Sequence, residues 1–484
     1  MLPLGRVVRW APLAVGSLAL LVFLLWYWNP AYRYDEYLVA VARTQLSWGD
    51  LFRVITEADP AAGPLYLLMK PWTALSSDPW WTRLPSVIAM AIAVGALVAL
   101  IQASVNARAA VFAGLLLITL PVISRWAQDN RMYAPATACA VLAVLSWWRW
   151  VAGGSRRWSV AYGAAVVGMG LFHLYALTVI PALVLAALWM PGPRRSTLLR
   201  TIVPPAIALI VLLPHIYLNI SNPTGSPSNP AVSLRSVVDL VDAGGRWITV
   251  AAGLLAVAGS VWAWRFRERR ALVALGMGWV LIPFVSFVGV RAVSEIPTLA
   301  SRYYVFALPG ACVLAALGLE ALFRFWRPGA IVGLGIVAAL ALPGQVSVRS
   351  PGSHDVNTFR LGLLLRQPEL AGLPVVAATR TLELIVDAST YPVRVITPPT
   401  AAAQPVVVVV TRDSVVNAGI PYRYADSSWR PVLQCTLGGA RERRVVLEVV
   451  AMPGAGFPAG DADTLARQLN AAISRSRCVA VPPG

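Results

Sequence analysis

Apolar residues in this chain gather in long unbroken runs, not in the alternating pattern of a half-buried strand or the one-sided stripe of a surface helix. The runs fall near 7–28, 84–103, 108–123, 132–150, 159–172, 174–190, 201–219, 248–264, 271–290, 303–323 and 329–347. Against a hydrocarbon layer ~30 Å thick they predict an all-α polytopic membrane bundle of about eleven transmembrane helices, some of them short. The 159–190 region reads either as one helix or as two short ones broken near His173. Val7 to Trp28 is too long for the apolar stretch of a signal peptide and no small-residue cleavage site follows it, so a retained first span is expected.

From about residue 349 the pattern changes. Pro351, Gly352, Ser353 and His354 mark a linker. Short β-rich runs follow at Pro374–Ala377, Val393–Ile396, Val406–Val410 and Val445–Val450, with a helical stretch from Asp463 to Ile473. The predicted organisation is therefore a membrane domain over 1–348, with a long first outer loop at 29–83, and a small α/β domain over 349–484.

Composition agrees with lipid as the solvent. Of 484 residues, 58% are hydrophobic and 13% charged, with mean hydropathy +0.66. The net charge of +18 raises nucleic acid as a partner. However, the cations are arginines in short loops between apolar runs, with Lys70 the one lysine, and the soluble region has no basic stripe with interleaved aromatics. No nucleic-acid partner is expected. Placing Arg6 and Arg9 in the cytoplasm puts Arg108, Arg149, Arg194, Arg265, Arg324 and their neighbours in inner loops, and two spans in 159–190 keep the alternation consistent. The same parity sends the C-terminal domain outside, where Cys435 and Cys478 are expected to form a disulfide. Cys139 and Cys312 fall inside apolar runs and are expected to be free thiols.

The outer loop 29–83 carries the most chemistry. It opens Tyr34-Asp35-Glu36-Tyr37 and continues through Leu38, Ala42 and Leu46 to Trp48-Gly49-Asp50, a spacing that predicts an interfacial helix with Trp48 and Trp72 as headgroup-level anchors. Two adjacent carboxylates just after a span are costly without partners or a task; they are also what a solvated helix N-terminus favours. Farther along come Gly63-Pro64-Leu65-Tyr66-Leu67-Leu68, Trp81-Thr82-Arg83-Leu84-Pro85-Ser86, the outer loop Ser124-Arg125-Trp126-Ala127-Gln128-Asp129-Asn130-Arg131-Met132-Tyr133, and His173-Leu174-Tyr175-Ala176.

In order, spacing and common sidedness these segments resemble the GT-C glycosyltransferases, in particular their protein-O-mannosyltransferase-like and aminoarabinose-transferase-like branch. The resemblance covers roughly the first 190 residues. There an Asp-Glu pair follows the first span, and the later segments resemble the family's His-Pro-Pro-Leu-Tyr, Arg-Leu-Pro-Ser, Ser-Gln-Glu-Ala-Arg-x-Tyr and His-Tyr elements. One departure stands out. Ala61, Ala62 and Gly63 occupy the place of the family's histidine, which puts metal dependence in doubt and leaves Asp59 as the nearest replacement.

The resemblance implies an enzyme that moves a sugar, with mannose the first expectation, from a polyprenyl-phosphate donor to a glycan, lipid or protein acceptor outside the cytoplasm, with inversion. Such a reaction needs a carboxylate to take the acceptor's proton and cations to receive the departing phosphate. Asp35 is the candidate base, with Glu36 and Asp59 supporting it. Arg131, Arg302 and Arg291, with Lys70, Tyr303 and His173, are candidates for the donor phosphate and substrate. Each arginine also reads as an ordinary snorkelling cation, Tyr303 and Tyr304 as belt aromatics, and His173 and His215 as satisfied membrane histidines. No nucleotide motif or Asp-x-Asp motif is found; no cofactor is assigned, and a divalent metal is left open. The rival class is a transporter or lipid flippase, whose mark would be internal repeats and matched broken helices; no convincing repeat is found.

Overall fold

The structure is a computed structural model that describes residues 10–25, 34–222, 232–294 and 298–350, and beyond these five strands with a few positions between them. The chain divides into two compact units, one of residues 1–27 and 43–349, the other of 28–42 and 350–484.

The first unit is helical. Its helices are α1 (Ala11–Leu24), α2 (Trp48–Glu57), α3 (Gly63–Thr73), α4 (Pro79–Ser104), α5 (Ala107–Thr119), α6 (Pro121–Ala127), α7 (Tyr133–Val151), α8 (Arg156–Phe172), α9 (Val179–Ala187), α10 (Arg194–Ser221), α11 (Leu234–Leu240), α12 (Arg246–Trp264), α13 (Arg270–Val293), α14 (Leu308–Phe325) and α15 (Arg327–Arg349). Each of the eleven long apolar runs contains helix among its described residues. Among the described residues, six helices are long and apolar enough to cross a membrane, and a seventh candidate is the α5–α6 pair. The broken reading of 159–190 holds. α8 ends at Phe172, His173 takes an extended backbone, and a 3₁₀ turn over Leu174–Thr178 leads into α9.

Lipid is as apolar as the helices it surrounds, so tight packing of small residues has to hold the bundle together. At the α12–α14 crossing a Cβ on Gly259 would stand 2.1 Å from the Leu314 carbonyl oxygen, and one on Gly318 2.3 Å from that of Leu255. The two backbones touch. A charged lock sits at one end of α14. Glu320, fully buried, accepts from Arg108 Nε at 2.7 Å, Arg324 Nε at 3.1 Å and Asn106 Nδ2 at 3.1 Å. The Asn106 side chain also caps α5, its Oδ1 accepting from Ala109 N.

A sharp break separates α5 from α6. Pro121 opens α6 after a 70° bend. Gly244, at φ +104°, lies against the bend so closely that a Cβ there would stand 2.6 Å from Pro121 Cβ. The bend steers α6 into the segment Gln128-Asp129-Asn130, all buried, and Gln128 Nε2 caps the end of α1 by donating to Phe23 O at 2.7 Å.

Of the second unit the structure describes the turn Tyr34–Tyr37, the π-helical turn Leu38–Ala42 and a mixed sheet. Its strands are β1 (Val375–Ala377), β2 (Val406–Thr411), β3 (Arg430–Leu437), β4 (Val445–Ala451) and β5 (Ser476–Ala480), in the order β1-β2-β4-β3-β5, with β1 and β2 parallel and the remaining neighbours antiparallel. Cys435 and Cys478 face each other across β3 and β5 and form the expected disulfide. The edge strand β5 is satisfied by Asn470, whose amide donates to Cys478 O and accepts from Cys478 N. β3 and β5 were not anticipated, since Arg430 and Pro431 open one and the other is short. The expected run Val393–Ile396 lies outside the described residues, as does most of Asp463–Ile473.

Candidate active site

The first outer loop is not the single interfacial helix that its spacing predicts. The chain turns at 43–47, and Ser47 starts α2 afresh by accepting from Asp50 N at 3.1 Å. Trp48 is exposed, as an interfacial anchor would be. Trp72 is instead stacked on Trp81, ring centroids 4.4 Å apart, and each indole N–H donates to the other's backbone carbonyl. This reciprocal pair fastens α3 to the start of α4.

α3 organises the acidic side of the site. Asp59 lies in the turn before it, with Oδ1 accepting from Ala62 N at 3.4 Å. Tyr66, one turn into α3 and wholly buried, donates its hydroxyl to Asp59 Oδ2 at 2.5 Å. Burial, and then the Asp59 charge, pushes the Tyr66 phenol far above its ordinary range, while Arg131 and Arg43 pull it down. The phenol therefore stays a donor at any working pH. One turn further, Lys70 Nζ donates to Thr44 O and Leu46 O and lies 5.1 Å from the Trp48 ring centroid. The ammonium secures the turn before α2.

A second cluster forms where the breaks after α6, α8 and α13 converge. The His173 ring centroid stands 5.5 Å from that of Tyr133, 5.2 Å from Tyr175 and 5.4 Å from Tyr303. Its Nε2 is buried and has no hydrogen-bond partner among the described residues. Burial, reinforced by Arg302 and Arg131, pushes His173 down to about 3, so the imidazole is neutral. Arg302 lies over the Tyr303 ring, and its NH2 donates to the Tyr303 hydroxyl at 3.3 Å. Tyr303 and Tyr304 are not belt aromatics: Tyr303 packs on His173, and buried Tyr304 donates to Val280 O at 2.6 Å. Thr298 Oγ1 donating to Phe287 O, and Trp279 Nε1 donating to Phe306 O, fix this turn on α13.

Arg131 joins the two clusters, since its charge bears on both Tyr66 and His173. The structure thus brings together His173, Arg302 and Tyr303 in one cluster and Asp59 with Tyr66 in the other, with the Arg131 charge bearing on both. Arg291 donates to Ser294 O near the end of α13. Asp35 and Glu36 share the turn Tyr34–Tyr37, where Glu36 is fully buried; the Asp35 side chain lies outside the described residues. His215 pairs with Asn219 along α10.

Two contributors were missed in the sequence. Tyr66 sits in the Pro-Leu-Tyr segment seven residues after Asp59, a spacing that became legible only once the turn before α3 was known. Arg43 shows no local signal; its Nε is buried without a hydrogen-bond partner among the described residues. Among the described residues no three His, Cys, Asp or Glu side chains gather in a group that could hold a metal ion.

Residues 65–218 match the family described as dolichyl-phosphate-mannose-protein mannosyltransferase. No curated protein sequence matches the chain. Among solved structures, ArnT from Cupriavidus metallidurans in the apo state superposes with TM-score 0.58 at 16% identity, over 90% of this chain and 97% of that one. ArnT bound to undecaprenyl phosphate gives 0.56 at 16% identity, over 92% and 99%. The chain has the GT-C fold. A second GT-C protein, the oligosaccharyltransferase of Archaeoglobus fulgidus in its apo form, superposes at TM-score 0.51 and 12% identity, over 93% of this chain and 75% of that one. The family match over 65–218 spans α3 to α10 and so takes in Tyr66, Arg131 and His173.

Proposed function

We propose that this chain is a multi-pass membrane glycosyltransferase that moves a sugar from a polyprenyl-phosphate donor to an acceptor on the outer face, with inversion. The observation that carries the reading is a buried His173 whose Nε2 has no hydrogen-bond partner among the described residues, in the electrostatic reach of Arg302 and Arg131 within a GT-C fold. Buried polar atoms without partners are rare, and two cations beside one suit an anionic ligand with hydroxyl groups. ArnT, similar in fold, has been solved with undecaprenyl phosphate bound. Mannose is the first expectation for the sugar, in keeping with the family matched over 65–218.

In the reaction, Asp35 takes the proton of the acceptor hydroxyl as its oxygen attacks the anomeric carbon. The bond from that carbon to the phosphate oxygen breaks on the opposite face, and polyprenyl phosphate leaves with the electron pair. Arg131 and Arg302 receive the growing phosphate charge, with Lys70 a further cation for the donor, while Glu36 and Asp59 support the base. Arg291 is another cation for the donor. The N-terminus is cytoplasmic and the domain after 349 external; labelling of a cysteine at 354 by an impermeant reagent in intact cells tests this, and protection would reverse it.

The catalytic assignment is tested by separating turnover from affinity. Asp35→Asn keeps size but removes basicity, so kcat should fall ~10²–10⁴-fold with donor binding retained. Arg302→Ala leaves a lipid phosphate short of a counter-charge and should mainly weaken donor affinity. Near-wild-type turnover in Asp35→Asn would refute the base assignment.

A further inference from the structure

We infer that Tyr66 is a positioning residue for the transfer reaction: its buried hydroxyl fixes the Asp59 carboxylate as an acceptor for a substrate hydroxyl. This rests on the transferase reading above. Two other buried tyrosines, Tyr162 and Tyr304, spend their hydroxyls on backbone, Tyr162 on Thr201 O at 3.1 Å and Tyr304 on Val280 O at 2.6 Å. Those bonds tie helices together. Tyr66 instead reaches back seven residues to a carboxylate that is itself only part-buried.

The geometry at Asp59 is that of an oriented ligand. One oxygen holds the Tyr66 hydroxyl at 2.5 Å and the other holds Ala62 N at 3.4 Å, so rotation about the carboxylate axis is blocked. An ionised carboxylate has about four lone-pair sites, and these two donors leave capacity for another. The phenol itself is wholly buried and cannot touch substrate, so its action runs through Asp59. The surroundings say what is held. Arg131 and Arg43 bear on the Tyr66 hydroxyl, so cations flank the acidic group. A ligand spanning both would carry hydroxyl groups and a phosphate together, as a lipid-phosphate sugar does.

Tyr66 also sits where one face of α3 fastens the loop at two points. The hydroxyl at 66 secures the turn before α3, and the ammonium at 70 secures the turn before α2 through Thr44 O at 2.9 Å. Loss of the hydroxyl frees Asp59 while the Lys70 bond and the packing of the ring remain.

The test uses the full chain in nanodiscs with a synthetic polyprenyl-phosphate mannose and measures kcat and donor KM for wild type, Tyr66→Phe, Asp59→Asn and the double variant. Misplacing a functional group by ~1 Å can cost 10²-fold, so Tyr66→Phe should lower kcat by roughly 10–100-fold with KM within about twofold. In the Asp59→Asn background the same change should then cost less than about threefold, because both act through one group. Wild-type kcat in Tyr66→Phe, or losses that simply multiply, overturns the inference. Should Tyr66→Phe fail to fold, Asp59→Glu serves, since its extra methylene moves the carboxylate off the phenol; wild-type kcat there overturns the inference equally. A wild-type protein that transfers no sugar from this or any other polyprenyl-phosphate donor overturns the transferase reading itself, and the inference with it.

Discussion

Replacing Gly318 with alanine should loosen the bundle at its tightest crossing. The added Cβ would lie 2.3 Å from Leu255 O, and its counterpart Gly259 already leaves only 2.1 Å to Leu314 O and 2.4 Å to Gly318 N for a Cβ of its own. All of these partners are backbone atoms, so no side chain can swing aside. To restore ordinary contact, α12 and α14 must separate by about 1 Å, and a gap of that size forfeits a quarter to a half of each atom-pair attraction along the crossing. Overpacking of this kind typically costs ~1–3 kcal/mol. Gly253, on the same helix α12, is the control, because a Cβ there meets nothing within 4 Å. Gly253→Ala should be neutral or stabilising by up to ~1 kcal/mol, through lost backbone entropy of the unfolded chain. The assay is the thermal midpoint of tryptophan fluorescence in detergent, read at one scan rate because membrane proteins often unfold irreversibly. Gly318→Ala should fall below wild type and Gly253→Ala should not. A Gly318→Ala midpoint at or above wild type would refute the close-approach argument.

Other outcomes depend on particular contacts. Glu320→Ala strands Arg108 and Arg324, and because these are 40% and 48% exposed the loss should be about 1–3 kcal/mol, less than for a fully buried pair; the same midpoint measurement should show Glu320→Gln losing less. His173 titrates at about 3 in the folded chain against an ordinary 6.5. The unfolded chain therefore binds the proton first, and this contribution, full above pH 6.5, is lost as pH falls toward 3. Acidification from pH 7 to 4.5 should lower the wild-type midpoint more than that of His173→Gln, and equal losses would contradict the burial of the ring. Mass spectrometry without reductant should recover Cys435 joined to Cys478 and find Cys139 and Cys312 free; two free thiols in the C-terminal domain would contradict the sheet register.

Much of the helical unit was legible because lipid asks for one thing, an apolar run, and each of the long runs contains helix among its described residues. The break at His173 and the disulfide were also within reach, one from a lone polar residue between short runs, the other from topology. What escaped depended on tertiary partners. Trp72 has the look of an interfacial anchor until Trp81 is found stacked on it. Lys70 counts as a free cation by charge alone, yet its reach to the Thr44 and Leu46 carbonyls depends on how α3 folds back over α2. Tyr304 has the composition of a belt residue, but the turn Ser301–Tyr304 aims it inward at Val280. Within the site, carboxylates and arginines were found by type, while Tyr66 was passed over because a tyrosine in an apolar segment carries no mark of its hydrogen-bond partner.

The central claim is sugar transfer from a polyprenyl phosphate, and one reaction tests it most directly. Purified full-length protein in nanodiscs is given a polyprenyl-phosphate mannose of known anomeric configuration, together with a panel of mannosyl oligosaccharides, a glycolipid and a serine-containing peptide. Release of polyprenyl phosphate is followed, and the product is analysed by NMR. The account predicts release that depends on an acceptor and a product of inverted anomeric configuration. Acceptor-independent behaviour with no glycosidic product from any arm, or a product of retained configuration, would contradict it.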